Sequence, residues 1–255
     1  MRHACCFILL FVLLGNAWPV GAEEKGQTEE DFKRQKLIEE HAKKKRASNY
    51  PALFKKAAKE FDVPVNLLEG IAFAETRWEH LVRRENIDFD CGMPPMYGIM
   101  GLWNNDYFGH SLILASDLIH EKPDVLKKDV FQNMRGGARL LKKIYDENPV
   151  PEWTKRGELE SWFYAIVKYC GIPETDKEFS YQHALDVYEA MSQGYHSEGI
   201  GFDATSGLKL DAMRSEVTRV KTEALKKHKL EEQQSTNQIA PAEISPTGDK
   251  EKAKK

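Results

Sequence analysis

The stretch PVNLLEGIAFAETRWE, Pro64 to Glu79, decides how the chain is read. Taken as a helix, it places Pro64, Leu67, Leu68, Ile71, Ala74 and Trp78 on one apolar stripe. Glu75 falls in the middle of that stripe, between Phe73 and Ala74 on one side and Trp78 on the other. Glu69 is expected on the opposite face and Glu79 at the stripe's edge. A core-facing carboxyl is costly to ionise, and burial favours the form that keeps its proton. A retained proton is what a general acid needs. The same placement also suits a glutamate that closes a buried hydrogen-bond network.

Working outward, nearly every periodic segment is helical. Pro51 to Phe61 carries Leu53, Phe54, Ala57, Ala58 and Phe61 on one face, and Asp62-Val63-Pro64 breaks it before the next helix starts. His80 to Phe108 lacks a sustained period and is rich in glycine and proline; so long an irregular stretch within a domain is usually functional. Helices are expected again from Ser111 to Ile119, near Pro123, and over Val130–Tyr145, Leu159–Cys170 and Ser180–Met191. No run of alternating β-branched residues occurs. The expected fold class is all-α, with at most a small hairpin in the irregular region.

The ends differ in character from the middle. Arg2 and His3 precede an apolar run, Ala4 to Leu14, followed by small residues at Val20-Gly21-Ala22, the pattern of an export signal over residues 1–22. Residues 23–47 form a charged linker or helix ending in Lys43-Lys44-Lys45-Arg46. Residues 48–201, with about 150 residues of balanced apolar content, form one domain with a proper core. Residues 202–255 read as a charged tail, helical and then disordered. Both tails are possible attachment points for a cell-wall protein partner. The net charge of −3 argues against a dedicated nucleic-acid binder, and no second hydrophobic span follows the signal. Export leaves two mature cysteines, Cys91 and Cys170, so a disulfide between them is expected, contributing ~4 kcal/mol by loop-closure entropy.

No metal-ligand spacing, HExxH, phosphate loop or Gly-x-Ser-x-Gly elbow occurs. No metal site or cofactor is therefore expected. His80, His110, His120 and His183 are scattered and read as surface or loop residues. Cys170 lies late in an amphipathic helix, as a structural thiol would. A single buried glutamate, Glu75, remains the centre of the chemistry.

The order of segments carries a resemblance. Ile71-Ala72-Phe73-Ala74-Glu75-Thr76-Arg77-Trp78 resembles the Ala-x-x-Glu-Ser-x-Phe helix of the lytic transglycosylase (SLT) domain, a branch of the lysozyme-like superfamily. Tyr97-Gly98-Ile99-Met100-Gly101-Leu102 is similar to its Gly-Leu-Met-Gln-Leu segment. The run from Asn133 to Leu141 resembles its Asn-Ile-x-x-Gly-x-x-Tyr-Leu helix, and Ala165 to Gly171 its Ala-Tyr-Asn-x-Gly end. The resemblance covers roughly Leu53 to Met191. It departs at Gly101, where the family has glutamine, and at Cys170, where it has asparagine.

The resemblance implies a secreted or periplasmic enzyme acting on peptidoglycan glycan strands. It implies Glu75 as acid and then base, with Tyr169 directing its hydroxyl at Glu75, and substrate contacts from Tyr97, Gly98, Met100, Gly101 and Asn133. Tyr169 also fits a purely packing role, in one stripe with Trp162 and Ile166. Trp103, Tyr107 and Phe108 suit either stacking on sugars or a small core of their own loop. Glycoside hydrolases usually need two carboxylates. Glu85, Asp88 and Asp90 are candidates for a second, but nothing in their spacing selects one, which favours a single-acid scheme. The competing class is a lysozyme-like domain that holds glycan or a protein partner without turnover.

Overall fold

A computed structural model describes residues 28–82, 94–197 and 200–238. The expected export signal, Cys91, Glu85, Asp88 and Asp90 lie outside the described residues. The chain is mainly helical, with two small sheets. It divides into two units, Met1–Lys44 and Lys45–Lys255. The first unit contributes most of α1 (Glu29–Ser48), a charged helix with Phe32, Leu37 and Ile38 exposed. No helix among the described residues is long and apolar enough to cross a membrane.

The second unit is organised around α3 (Val65–Thr76), which follows α2 (Tyr50–Phe61) through the left-handed residue Asp62. α3 is buried or half-buried all round, its two glutamates included. Glu69, expected on an exposed face, is only 7% exposed. Gly70 is why the next layer can come so close. A Cβ there would lie 2.5 Å from Met191, on α8 (Lys177–Gln193), which packs along α3.

α3 ends abruptly. Arg77 and Trp78 both take left-handed backbone, at φ 55° and 60°, a conformation unfavourable for residues with a Cβ. The reversal turns the Trp78 ring into the core, fully buried. Its indole N–H donates to the Glu69 carbonyl at 3.0 Å, and the ring packs on Phe54 and Phe202. Burying so large a ring, with its polar hydrogen satisfied, offsets the local strain.

The expected hairpin is present as β1 (Met96–Tyr97) and β2 (Leu102–Trp103), joined by a turn with positive φ at Gly98 and Gly101. α4 (Ser111–Leu118) and α5 (Pro123–Lys128) lead to α6 (Val130–Glu147), whose first turn is capped by the Asp129 carboxylate accepting from the Phe131 and Gln132 N–H groups. α7 (Phe163–Tyr169) crosses to α8, and a second hairpin, β3 (Tyr195–Ser197) with β4 (Ile200–Phe202), covers Phe73 and Trp78.

The packed unit reaches beyond Gly201. α9 (Leu210–Gln238) lies along α8 and buries Met213, Val217 and Val220, a narrow stripe spaced four and three residues apart on an otherwise charged helix. This helix falls in the segment expected as a charged tail, helical and then disordered. Met213→Ala should lower unfolding stability by ~2–5 kcal/mol in urea denaturation, as for other fully buried methionines.

Candidate functional site

The described residues converge on the last turn of α3. The Glu75 side chain is 6% exposed, and its Oε1 lies 2.9 Å from His183 Nε2 on α8. The ring N–H is not aligned on that oxygen, so this is a close charge contact; neither atom has an aligned hydrogen bond among the described residues. The other side of Glu75 rests on Gly101. A Cβ at that position would stand 2.7 Å from Glu75 Cβ and 3.0 Å from Oε2. Gly101 also has φ +63°. Position 101 is thus doubly bound to glycine, and a glutamine there would be strained and would displace the acid.

The turn carrying Gly101 is held from three directions. Thr76 Oγ1 on α3 is 2.9 Å from the Ile99 carbonyl. Asn133 on α6 is fully buried; its Oδ1 accepts from the Met100 N–H at 2.8 Å, and its amide donates to the carbonyls of Leu126 and Tyr97 at 3.1 and 3.3 Å. Gly98 makes room for that amide, since a Cβ there would fall 2.0 Å from Asn133 Nδ2. From α7 the Tyr169 hydroxyl donates to the Met100 carbonyl at 2.8 Å.

Several expected roles change accordingly. Tyr169 makes its hydrogen bond to the Met100 backbone and so braces the turn on which Glu75 rests. Burial, and then the nearby Glu75 charge, push its hydroxyl well above the ordinary tyrosine value, so it stays protonated. Asn133 and Met100 are fully buried, and Gly98 and Gly101 are buried too. These four residues, expected to contact substrate, instead form the buried floor beneath the Glu75 carboxyl. Tyr97 is half-buried, with the Lys127 ammonium 5.1 Å from its ring centre. Trp103 is 4% exposed and stacks on Phe108 at 4.1 Å, so the loop aromatics form their own small core. Tyr107 remains exposed and donates to Asp176 at 3.1 Å.

Of the expected Cys91–Cys170 bridge, Cys91 lies outside the described residues. Cys170 is a buried free thiol whose Sγ reaches the Val167 carbonyl at 3.2 Å within its own helix. Burial pushes it up to about 12, which leaves no thiolate for nucleophilic attack at neutral pH.

His183 was read from sequence as a surface or loop residue. It lies on the buried face of α8, one and two turns before Val187 and Met191, and only 21% of its side chain is exposed. Burial opposes charge on this ring, but the Glu75 carboxylate next to it outweighs that, and the imidazole is raised above its ordinary value of 6.5. Its place among Ser180, Ala184, Val187 and Met191 was the available signal. Thr76, within the Glu75 motif, was likewise given no role.

A second carboxyl on α3, Glu69, is raised to about 7 by burial and by Asp203, with Lys55 pulling the other way. A cleft of about 610 Å³ lies across α7, between Asn148, Tyr164, Lys168, Ile172 and Tyr181, and does not include Glu75. No protein-family model matches the chain, and no curated protein matches it in sequence.

Glu69 yields a stability prediction. Its folded value, about 7, exceeds the unfolded value of 4.5. Between those pH values the folded chain binds the extra proton, so this contribution is complete below 4.5 and is lost as pH rises through 7. Glu69→Gln should raise the Tm at pH 8 and leave it nearly unchanged at pH 4.5, measured by calorimetry.

Proposed function

We propose that this chain is an exported lytic transglycosylase of the cell envelope, cutting the β-1,4 bond between N-acetylmuramoyl and N-acetylglucosaminyl units of peptidoglycan. One observation carries the reading. The four separated segments that resemble the transglycosylase motifs meet at one carboxyl group: Glu75 rests on Gly101, Asn133 and Tyr169 both hold the Met100 backbone, and Gly137 of α6 packs on Met100 and the Tyr169 hydroxyl.

In this scheme Glu75 gives its proton to the glycosidic oxygen as the C1–O bond breaks. The resulting carboxylate then takes the proton of the muramoyl 6-hydroxyl, whose oxygen closes on C1 to form the anhydro ring. One acid suffices, whereas hydrolysis with either stereochemical outcome usually uses two carboxyl groups. Burial on a short, strained helix end keeps the carboxyl in one orientation, the geometric requirement for proton transfer in the transition state. The glycan strand is the partner, and the tails are where a cell-wall protein would attach.

A second reading is favoured by one observation: at 6% exposure, with His183 against it, Glu75 could hold the fold of a glycan-binding domain without turnover.

Two variants separate these readings and also test Glu69 as the acid. Glu75→Gln should reduce peptidoglycan cleavage ~10²–10⁴-fold, the usual share of general acid catalysis, while leaving the fold intact. Glu69→Gln, on the same helix and also buried, should stay within a few fold of the unaltered chain. Loss of cleavage in Glu69→Gln alone would make Glu69 the acid, and equal loss in both would point to a structural effect of altering α3.

A further inference from the structure

We propose that His183 is a positioning residue for the acid: its imidazole and the Glu75 carboxyl share one proton, and the pair, rather than Glu75 alone, holds the proton that is delivered. This inference rests on the glycan-cleaving reading for the delivery step, and on geometry alone for the sharing.

The geometry is specific. Nε2 and Oε1 are 2.9 Å apart, on helices α8 and α3 that pack tightly because Gly70 lets Met191 in. Each atom is buried and otherwise without an aligned hydrogen bond. The last side-chain torsion of a glutamate is broad, so a small rotation brings Oε1 onto the Nε2–H axis. Oε2 faces Gly101, where no side chain competes for it. Groups facing the imidazole or its partner are few among the described residues. Glu75 comes from α3, Arg77 from the residue that ends it, and Asp186 from α8 itself. From α7 and the residue after it come the Tyr169 hydroxyl and Cys170 thiol, which feel the Glu75 charge and stay neutral.

The proton balance closes. In one form the shared proton is on Nε2, giving imidazolium and carboxylate. It can also cross to the carboxyl, with the Nε2–H bond breaking as O–H forms, leaving neutral imidazole and carboxylic acid. The second form donates to the glycosidic oxygen, and the C1–O electron pair leaves with that oxygen. The proton later taken from the muramoyl 6-hydroxyl returns the pair to its starting charge. Because the imidazole is raised above 6.5 by its carboxylate neighbour, it gives up its proton only as pH rises past that value. Cleavage should therefore persist toward neutral pH and fall on the alkaline side with the imidazole's midpoint.

Two measurements on the full chain test this. Imidazole carbon shifts followed by NMR through a pH titration, with His183→Gln assigning the signal, should place the His183 midpoint above 6.5 and lower it by about one unit or more in Glu75→Gln. An unchanged midpoint in Glu75→Gln overturns the shared proton. Peptidoglycan cleavage followed against pH should show the alkaline limb of His183→Gln displaced to lower pH, with acid-side rates within about tenfold of the unaltered chain. A limb that stays in place while the whole profile scales down makes His183 merely structural and overturns the inference. A chain that cuts glycan with an unmoved limb overturns the shared proton and keeps the glycan-cleaving reading. A chain that leaves glycan uncut while His183 still follows Glu75 overturns that reading and keeps the shared proton.

Discussion

Asn133 is the constraint on which the site depends. Its one amide group, fully buried, satisfies the Met100 N–H and the Tyr97 and Leu126 carbonyls. Each buried backbone group left unsatisfied costs ~1–3 kcal/mol, so loss of this side chain would cost a sizeable part of a typical domain stability of ~5–15 kcal/mol. The turn fixed in this way presents Gly101 to Glu75 and Met100 to Tyr169. Position, more than contact, is what these residues supply: they stand behind the Glu75 carboxyl and fix the turn beneath it.

The acid's helix contributes the second half of the constraint. Two consecutive left-handed residues end α3 immediately after Glu75 and Thr76. Trp78, anchored in the core, keeps that ending in place. Thr76 ties the same turn of helix to Ile99, so Glu75 is held at both its backbone and its floor. Above this seat the carboxyl meets the His183 ring of α8, at 2.9 Å.

Much of this was legible in the sequence, for definite physical reasons. The helical periods of Pro51–Phe61 and Val130–Tyr145 gave α2 and α6 because those helices have one wet face and one dry face. Glu75 was found because a charge in an apolar stripe breaks the pattern visibly. Glu69 was misplaced because α3 has no wet face, so a one-stripe reading could not apply. Gly101 looked like the loss of a family residue. In three dimensions it is the only residue type that fits both the backbone angle and the acid above it. The cysteine count suggested a bridge, yet Cys170 is directed into its own helix. His183 was hidden because a histidine carries no apolar signal of its own, although its spacing from Val187 and Met191 placed it inside. α9 is legible as a helix, but its packing is masked by its charge, since Met213, Val217 and Val220 mark its buried side.

The central claim is that the Glu75 carboxyl serves first as acid and then as base, with no second carboxylate, so that the substrate's own hydroxyl replaces water. The most direct measurement is mass spectrometry of the products released from purified peptidoglycan by the full chain in water enriched in ¹⁸O. The account predicts muropeptides ending in the anhydro form, lighter by one water and carrying no ¹⁸O. Reducing ends labelled with ¹⁸O would show that water is the nucleophile and would contradict it.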